Sequence, residues 1–249
     1  MRVTLLSDQW KEIVFGSLLG DGSIAINKGY KNARFSFRHS IKQKDYFLWK
    51  VEKLKEISGD KCIWVQENNG KDGFGGAKLR YQSLALPQLT ELYNLVTTKN
   101  HKAVKRKWLN LLTPRSLLVW WLDDGSLVAT LRKGVFCTDS FSFGEVKILQ
   151  SYLKKVWDIK AKIVASRSRR DVVFFRLWIT EREELKKFLR LILPHLKVER
   201  MLYKVLILYK DSELQQRWIS EVSELTGFSL AIVNKHVVDR KSELKEFRE

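Results

Sequence analysis

Two stretches of this 249-residue chain place a carboxylate at the end of an apolar run: Val14-Phe15-Gly16-Ser17-Leu18-Leu19-Gly20-Asp21-Gly22 and Leu117-Leu118-Val119-Trp120-Trp121-Leu122-Asp123-Asp124-Gly125. An apolar helix that stops on an acid delivers the acid where a buried core meets water. The helix C-terminus carries partial negative charge, so an acid there calls for a compensating cation. Hard oxygen ligands suit Mg²⁺. Asp21 and Asp124 are the candidate acids, and the carbonyls of Gly20 and Asp123 can complete the sites. Oxygen-bound metal pairs hydrolyse phosphodiesters by activating a water and stabilising the leaving oxygen. Either motif alone reads as an ordinary Asp-Gly turn. Their recurrence at matching positions of a strongly basic chain favours the chemistry.

The elements that must position these acids follow from periodicity. Trp10 to Leu19 has helical apolar spacing, with Ser7 or Asp8 as cap and the Gly20 to Gly22 region as terminator. Gly16, Ser17 and Gly20 leave a bare face on which another helix can pack closely. Arg34 to His39 alternates basic and aromatic residues as a strand with one apolar and one cationic face, paired with Ile24 to Ile26. Lys44 to Ile57 reads as a helix, Cys62 to Glu67 and Leu79 to Ser83 as strands around a glycine-rich loop, and Leu86 to Val96 as a helix. After the basic stretch Lys99 to Lys107 the pattern restarts. Thr113 caps and Pro114 opens the second motif helix. Strands at Ser126 to Val128 and Val135 to Thr138, a helix at Ser142 to Val156, strands at Ala161 to Ser166 and Val172 to Ile179, and a helix at Glu181 to Leu193 complete the second half. Asp21 and Asp124, His39-Ser40 and Asp139-Ser140, and Lys102 and Lys204 recur about 100 residues apart, longer than any solenoid unit. The expectation is an α+β fold of tandem αββαββα repeats with pseudo-twofold symmetry, over residues 1–108 and 109–210, with a helical segment at 211–249.

Forty-six basic residues against 28 acidic ones leave a net charge of +18, which points to a polyanionic partner, nucleic acid first. No apolar run approaches the roughly 20 residues of a membrane span. Cys62 and Cys137 suggest neither a disulfide framework nor a cysteine zinc site. The four histidines, His39, His101, His195 and His236, lack ligand spacing and read as structural or surface residues. No GxxxxGK[ST] loop argues for an ATPase.

The two motifs, the Leu112-Thr113-Pro114 lead-in and Thr138-Asp139-Ser140-Phe141 together resemble a single-chain, two-motif LAGLIDADG homing endonuclease, over roughly Ser7 to Lys210. The resemblance implies motif helices at a central interface and curved sheets forming a saddle over the DNA major groove. It implies double-strand cleavage of a long, weakly symmetric site, leaving short 3′ overhangs, by a monomer that is commonly intron-encoded. It assigns metal binding to Asp21 and Asp124 with the carbonyls of Gly20 and Asp123, two or three Mg²⁺ ions (Mn²⁺ or Ca²⁺ being able to occupy the sites), and active-site positions to Lys102 and Lys204. The sequence departs from the pattern at Phe15, Leu19, Trp120 and Trp121, and carries Asp123 where a small residue is usual.

Candidate groove contacts are Arg34, Ser36 and Arg38 on the alternating strand, and Lys78, Arg80 and Gln82 on its neighbour. Arg167, Arg169, Arg170 and Arg176 are their counterparts in the second half. Arginine pairs with guanine and glutamine with adenine, although most such contacts are to phosphate. Beyond Lys210, Trp218 to Val238 resembles a helix-turn-helix, with Gly227 in the turn, Ser229 as cap, and Asn234 and Lys235 exposed towards a groove; a plain helical hairpin fits the same pattern. Asp239 to Glu249 reads as a frayed end. Two alternative functions use the same scaffold, an intron-RNA maturase and a non-catalytic transcription regulator. Neither requires both acids.

Overall fold

The structure, a computed structural model, describes residues 8–67, 76–128, 131–167 and 171–244. Helix α1 (Gln9–Leu19) buries every residue from Ile13 to Leu19, the mark of a helix surrounded by protein. Strands β1 (Ser23–Ala25) and β2 (Arg34–Ser40) follow, then α2 (Lys44–Lys53), β3 (Ile63–Gln66), β4 (Lys78–Gln82) and α3 (Pro87–Val96). The predicted helix to Ile57 breaks at Leu54 and finishes as a 3-10 turn over Lys55–Ile57. The basic stretch after α3 folds into a small hairpin of β5 (Thr97–Thr98) and β6 (His101–Lys102), followed by the short α4 (Arg106–Leu109). The second motif helix, α5 (Pro114–Asp124), is buried from Ser116 to Leu122. Thr113 Oγ1 accepts from the Ser116 N–H at 3.3 Å, as its capping role requires.

The pattern then repeats with β7 (Gly125–Val128), β8 (Lys133–Phe136), α6 (Phe143–Trp157), β9 (Lys162–Arg167), β10 (Val173–Ile179) and α7 (Arg182–Ile192). Ser142 and Glu145 form a reciprocal capping box at the start of α6, and β8 stops two residues short of the predicted Thr138. Both four-stranded sheets are antiparallel with the same topology, β1-β2-β4-β3 and β7-β8-β10-β9. The described residues thus carry the tandem α+β repeat read in the sequence.

The chain divides into two compact units: residues 1–103 with 110–123, and residues 104–109 with 124–249. Helix α5, which opens the second repeat in sequence, therefore counts with the first unit except for Asp124, and α4 counts with the second. The second unit also contains α8 (Ser212–Thr226) and α9 (Leu230–Glu243). Helix α9 carries on through Glu243, so the charged stretch from Asp239 is helical rather than frayed up to that point. No described helix is long and apolar enough to cross a membrane.

Candidate active site and nucleic-acid face

Within the first unit the motif helices meet at matching positions. A Cβ on Gly16 would lie 2.3 Å from the Ser116 carbonyl oxygen and 2.7 Å from Val119 Cβ, and one on Gly20 would lie 2.4 Å from Asp123 Cβ. Arg115 Nη1 donates to Glu12 Oε2 at 2.6 Å across 103 residues. Glu12 with Arg115, Gly16 with Val119 and Gly20 with Asp123 are each the same position of the two motifs. That is how two helices touch when a twofold axis runs between them. The bare face read in the sequence is therefore a helix contact. Gly20 ends α1 with a negative φ of −113°, so the close approach of Asp123, not a left-handed turn, calls for glycine there. Asp8 takes the cap position of α1 but its side chain caps nothing; it pairs with Lys11 at 2.6 Å. Ser7 lies outside the described residues.

Asp21 follows α1 with its side chain 42% exposed. Behind it lies a buried polar cluster. Lys50 of α2 and the Asp123 side chain, both 0% exposed, are paired at 3.1 Å. Tyr46 donates its hydroxyl to Asp123 Oδ1 at 2.7 Å, and the Asp21 backbone N–H donates to Asp123 Oδ2 at 3.3 Å. His39 stands between the two acids, Nδ1 3.4 Å from Asp21 Oδ2 and Nε2 3.7 Å from Asp123 Oδ1. Asp21, His39 and Asp123 offer ligand atoms within 4.8 Å of one another, a grouping able to hold a metal ion.

Two corrections to the sequence reading follow. His39 is not a bystander but abuts Asp21. Asp123, expected to offer its carbonyl, also puts a buried carboxylate into the network. Lys50 and Tyr46 were missed altogether. The available signal was the i, i+4 stripe Tyr46, Lys50, Leu54, which puts a lysine on the buried face of an amphipathic helix.

The two candidate lysines make parallel contacts, each in its own unit. Lys102 Nζ donates to the Leu18 carbonyl at 2.8 Å, near the end of α1. Lys204, 8% exposed, donates to the Gly125 carbonyl at 3.0 Å, just beyond the end of α5. Asp124 is the last residue of α5, and its carbonyl accepts from the Cys137 N–H at 2.9 Å.

The sheet of the first unit turns Phe35, Phe37, His39, Leu79 and Tyr81 inwards, and Arg34, Ser36, Arg38, Lys78, Arg80 and Gln82 outwards. The register pairs Ser36 with Gln82 and Arg38 with Arg80, so all six lie on one face. Two open depressions on that face, one reaching Lys78 and the other Arg80 and Gln82, are both bounded by Asp21 and Arg38. Arg34 donates to Gln82 at 3.0 Å and Arg80 to Gln66 at 2.5 Å, and Trp64, 42% exposed, is registered against Arg80.

The corresponding face of the second sheet differs. Arg176 is held bidentately by Asp139 at 2.7 and 2.6 Å, and that partner raises its pKa further. Arg176 is thus committed to a carboxylate rather than poised alone for a base. Arg167 pairs with Asp171 at 3.2 Å and stays 71% exposed. Arg169 and Arg170 lie outside the described residues, as does most of the glycine-rich loop.

In the C-terminal segment, Gly227 takes the left-handed conformation (φ 82°) and Ser229 caps α9 through the Ile232 N–H. Val222, Val233 and Val237 are buried, whereas Asn234 and Lys235 are exposed, as expected. The helix pair is also tied down: Arg190 pairs with Glu221, His236 with Glu199 at 3.2 Å, and Lys197 donates to the Thr226 carbonyl at 3.0 Å.

A model of the LAGLIDADG DNA endonuclease family matches residues 11–188. Protein RecA of Mycobacterium gastri is 32% identical over 219 residues, 81% of this chain and 48% of that protein. The chain spans about half the length of the RecA relatives it matches first. The DNA endonuclease I-ChuI of Chlamydomonas applanata is 29% identical over 219 residues, 80% of this chain and 95% of that protein. Among solved structures, the homing endonuclease I-WcaI bound to its DNA recognition sequence aligns with a TM-score of 0.70, covering 83% of this chain and 89% of that one at 22% identity, which is a likeness of fold.

Proposed function

This chain belongs to the LAGLIDADG DNA endonuclease family, and from that premise we propose that it is a monomeric, site-specific endonuclease that cuts both strands of a long, weakly symmetric DNA site and leaves short 3′ overhangs. The observation that carries the reading is the pairing of the motif helices position on matching position, with Asp21 and Asp124 at their ends.

Asp21 and Asp124, with the carbonyls of Gly20 and Asp123, supply hard oxygen ligands suited to Mg²⁺. When bound, a divalent cation lowers the pKa of water and neutralises a leaving oxygen. Lys102 and Lys204 hold ammonium groups against the Leu18 and Gly125 carbonyls, where they complement phosphate charge. Arg34, Ser36, Arg38, Lys78, Arg80 and Gln82 form a polar, cationic surface that matches the donor and acceptor pattern of the major groove. Arg167, together with Arg169 and Arg170, extends positive charge in the second repeat. Asn234 and Lys235 on α9 are the contacts the C-terminal helix pair would add. Arg176 contributes by orienting Asp139.

The test is cleavage of a randomised duplex library in Mg²⁺, with RNA transcripts of the same pool as a second arm. The parent should select and cut one DNA site. Asp21→Asn and Asp124→Asn should each lose ~100-fold or more in rate, the scale of removing one electrostatic stabiliser, while still binding that site. Binding should fall linearly in log affinity against log salt. Undiminished cutting by both variants, or selection of RNA alone, refutes the assignment.

A further inference from the structure

We propose that Lys50, Tyr46 and the side chain of Asp123 form a positioning device for Asp21, so that the second motif sets the geometry of the first motif's acid. The inference rests on the endonuclease reading above and adds residues to it. Asp123 offers its carboxylate to a metal only in the sense of distance, because both oxygens are already engaged. Oδ1 accepts from Tyr46 at 2.7 Å and Lys50 at 3.2 Å, and Oδ2 accepts from Lys50 at 3.1 Å and the Asp21 N–H at 3.3 Å. A carboxylate with no exposed side-chain surface, holding four hydrogen bonds from three donor groups, acts from behind the site. It fixes the Asp21 backbone directly. It faces the Asp21 carboxylate through His39, which lies 3.4 Å from Asp21 and 3.7 Å from Asp123.

A packing role alone accounts poorly for this arrangement. A buried ion pair is a weak stabiliser compared with apolar residues of the same volume. Here it also forces glycine at position 20, since any side chain there would strike Asp123. The device is one-sided, because the matching position of the other motif is Gly20, which has no side chain. Groups that orient a ligand from behind are worth about 10–100-fold in metal affinity or activity. The expected consequence is an asymmetric enzyme, in which losing the pair slows cutting of one strand first.

The test compares the full-length parent with Lys50→Met/Asp123→Ala, which removes both charges together so that no carboxylate is stranded, and with Lys50→Met/Asp123→Asn, which restores a neutral acceptor for the Asp21 N–H. Three quantities are measured: Mn²⁺ affinity by titration calorimetry without DNA, strand-resolved cleavage of an end-labelled target, and melting with DNA affinity in the absence of divalent ions. The Met/Ala variant should melt cooperatively and bind DNA as the parent does. It should bind Mn²⁺ about 10-fold or more weakly and accumulate a single-strand nick. The Met/Asn variant should recover part of both losses. Parental Mn²⁺ affinity together with parental cutting of both strands overturns the proposal. So does loss of folding or DNA binding in step with cutting, which would make the pair structural. If the parent cuts no DNA, the endonuclease reading fails by itself. The Mn²⁺ titration then still decides this inference: equal affinities in parent and Met/Ala variant, or no binding by the parent, overturn it.

Discussion

At the scale of single residues, Gly20 is the most constrained position. Its φ of −113° is not left-handed, yet a methyl group would sit 2.4 Å from Asp123 Cβ and 3.0 Å from a carboxylate oxygen that Lys50 already holds. Neither neighbour is the free end of a flexible chain. Gly20→Ala should cost ~1–3 kcal/mol, the usual penalty of overpacking, read as a lowered melting temperature with reduced cleavage. Had the left-handed conformation been the reason for glycine, Asn would be tolerated; it should instead be worse than Ala. The place of Asp21 and Asp124 at the ends of the motif helices was legible because each closes an apolar run and the runs recur. Lys50 was not, because its partner lies 73 residues away and a lysine on a helix normally runs its stem along apolar surface and keeps its charge in water. His39 was passed over for a related reason: one histidine and two acids scattered over the chain carry no local spacing, and only the meeting of β2 with the ends of α1 and α5 brings them together.

At the scale of elements, period-two alternation gave the strands and their outward residues directly. What it could not give is which outward residues are already paired. Gln82 is an amide bonded to Arg34, and Lys78 is a point charge lining the depression that Asp21 and Arg38 also bound. They should therefore behave differently. Gln82→Ala should relax discrimination at a single base pair by ~1–3 kcal/mol. Lys78→Ala should weaken binding to every sequence alike and reduce the salt slope by about one. Affinity measured over a panel of singly substituted targets separates the two. In the second sheet, Phe174, Arg176 and Trp178 share a face with Val164 and Lys162 through the β9 register, and Asp139 occupies the arginine. No sequence pattern linked Asp139 to Arg176, because they approach from different elements, the turn after β8 and the middle of β10.

At the scale of the whole chain, the duplication was legible from its spacing, whereas the exchange of α4 and α5 between compact units was not, because contacts and not periodicity decide it. The C-terminal helices are the larger surprise. If the helix pair served only to contact DNA, residues 211–249 would be dispensable for folding. The structure instead buries Trp218, Ile219, Val222, Val233 and Val237 and ties α8 and α9 to the rest of the second unit by the Arg190–Glu221 ion pair and the His236–Glu199 contact. Gln215 adds a bond from the Tyr209 N–H at 2.9 Å. Deleting 211–249 removes that cover and should cost several kcal/mol, at about 25 cal/mol per Å² of apolar area. The melting temperature should fall by on the order of 10 °C, with folding, binding and cutting lost together. Retention of the parental melting temperature would show that the helix pair is not needed for the fold.

The matched contacts of α1 and α5 are also complementary in kind. Glu12 meets Arg115, Gly16 meets Val119, and Gly20 meets Asp123. Each pair joins unlike partners: acid with base, or nothing with something. Two copies of the first motif would set glutamate against glutamate and leave holes at both glycines. Two copies of the second would set arginine against arginine and crowd valine and aspartate into occupied space. The two motif helices thus complement each other better than either would complement a copy of itself. Swapping either motif for a copy of the other would therefore cost both charge pairing and packing along the whole contact.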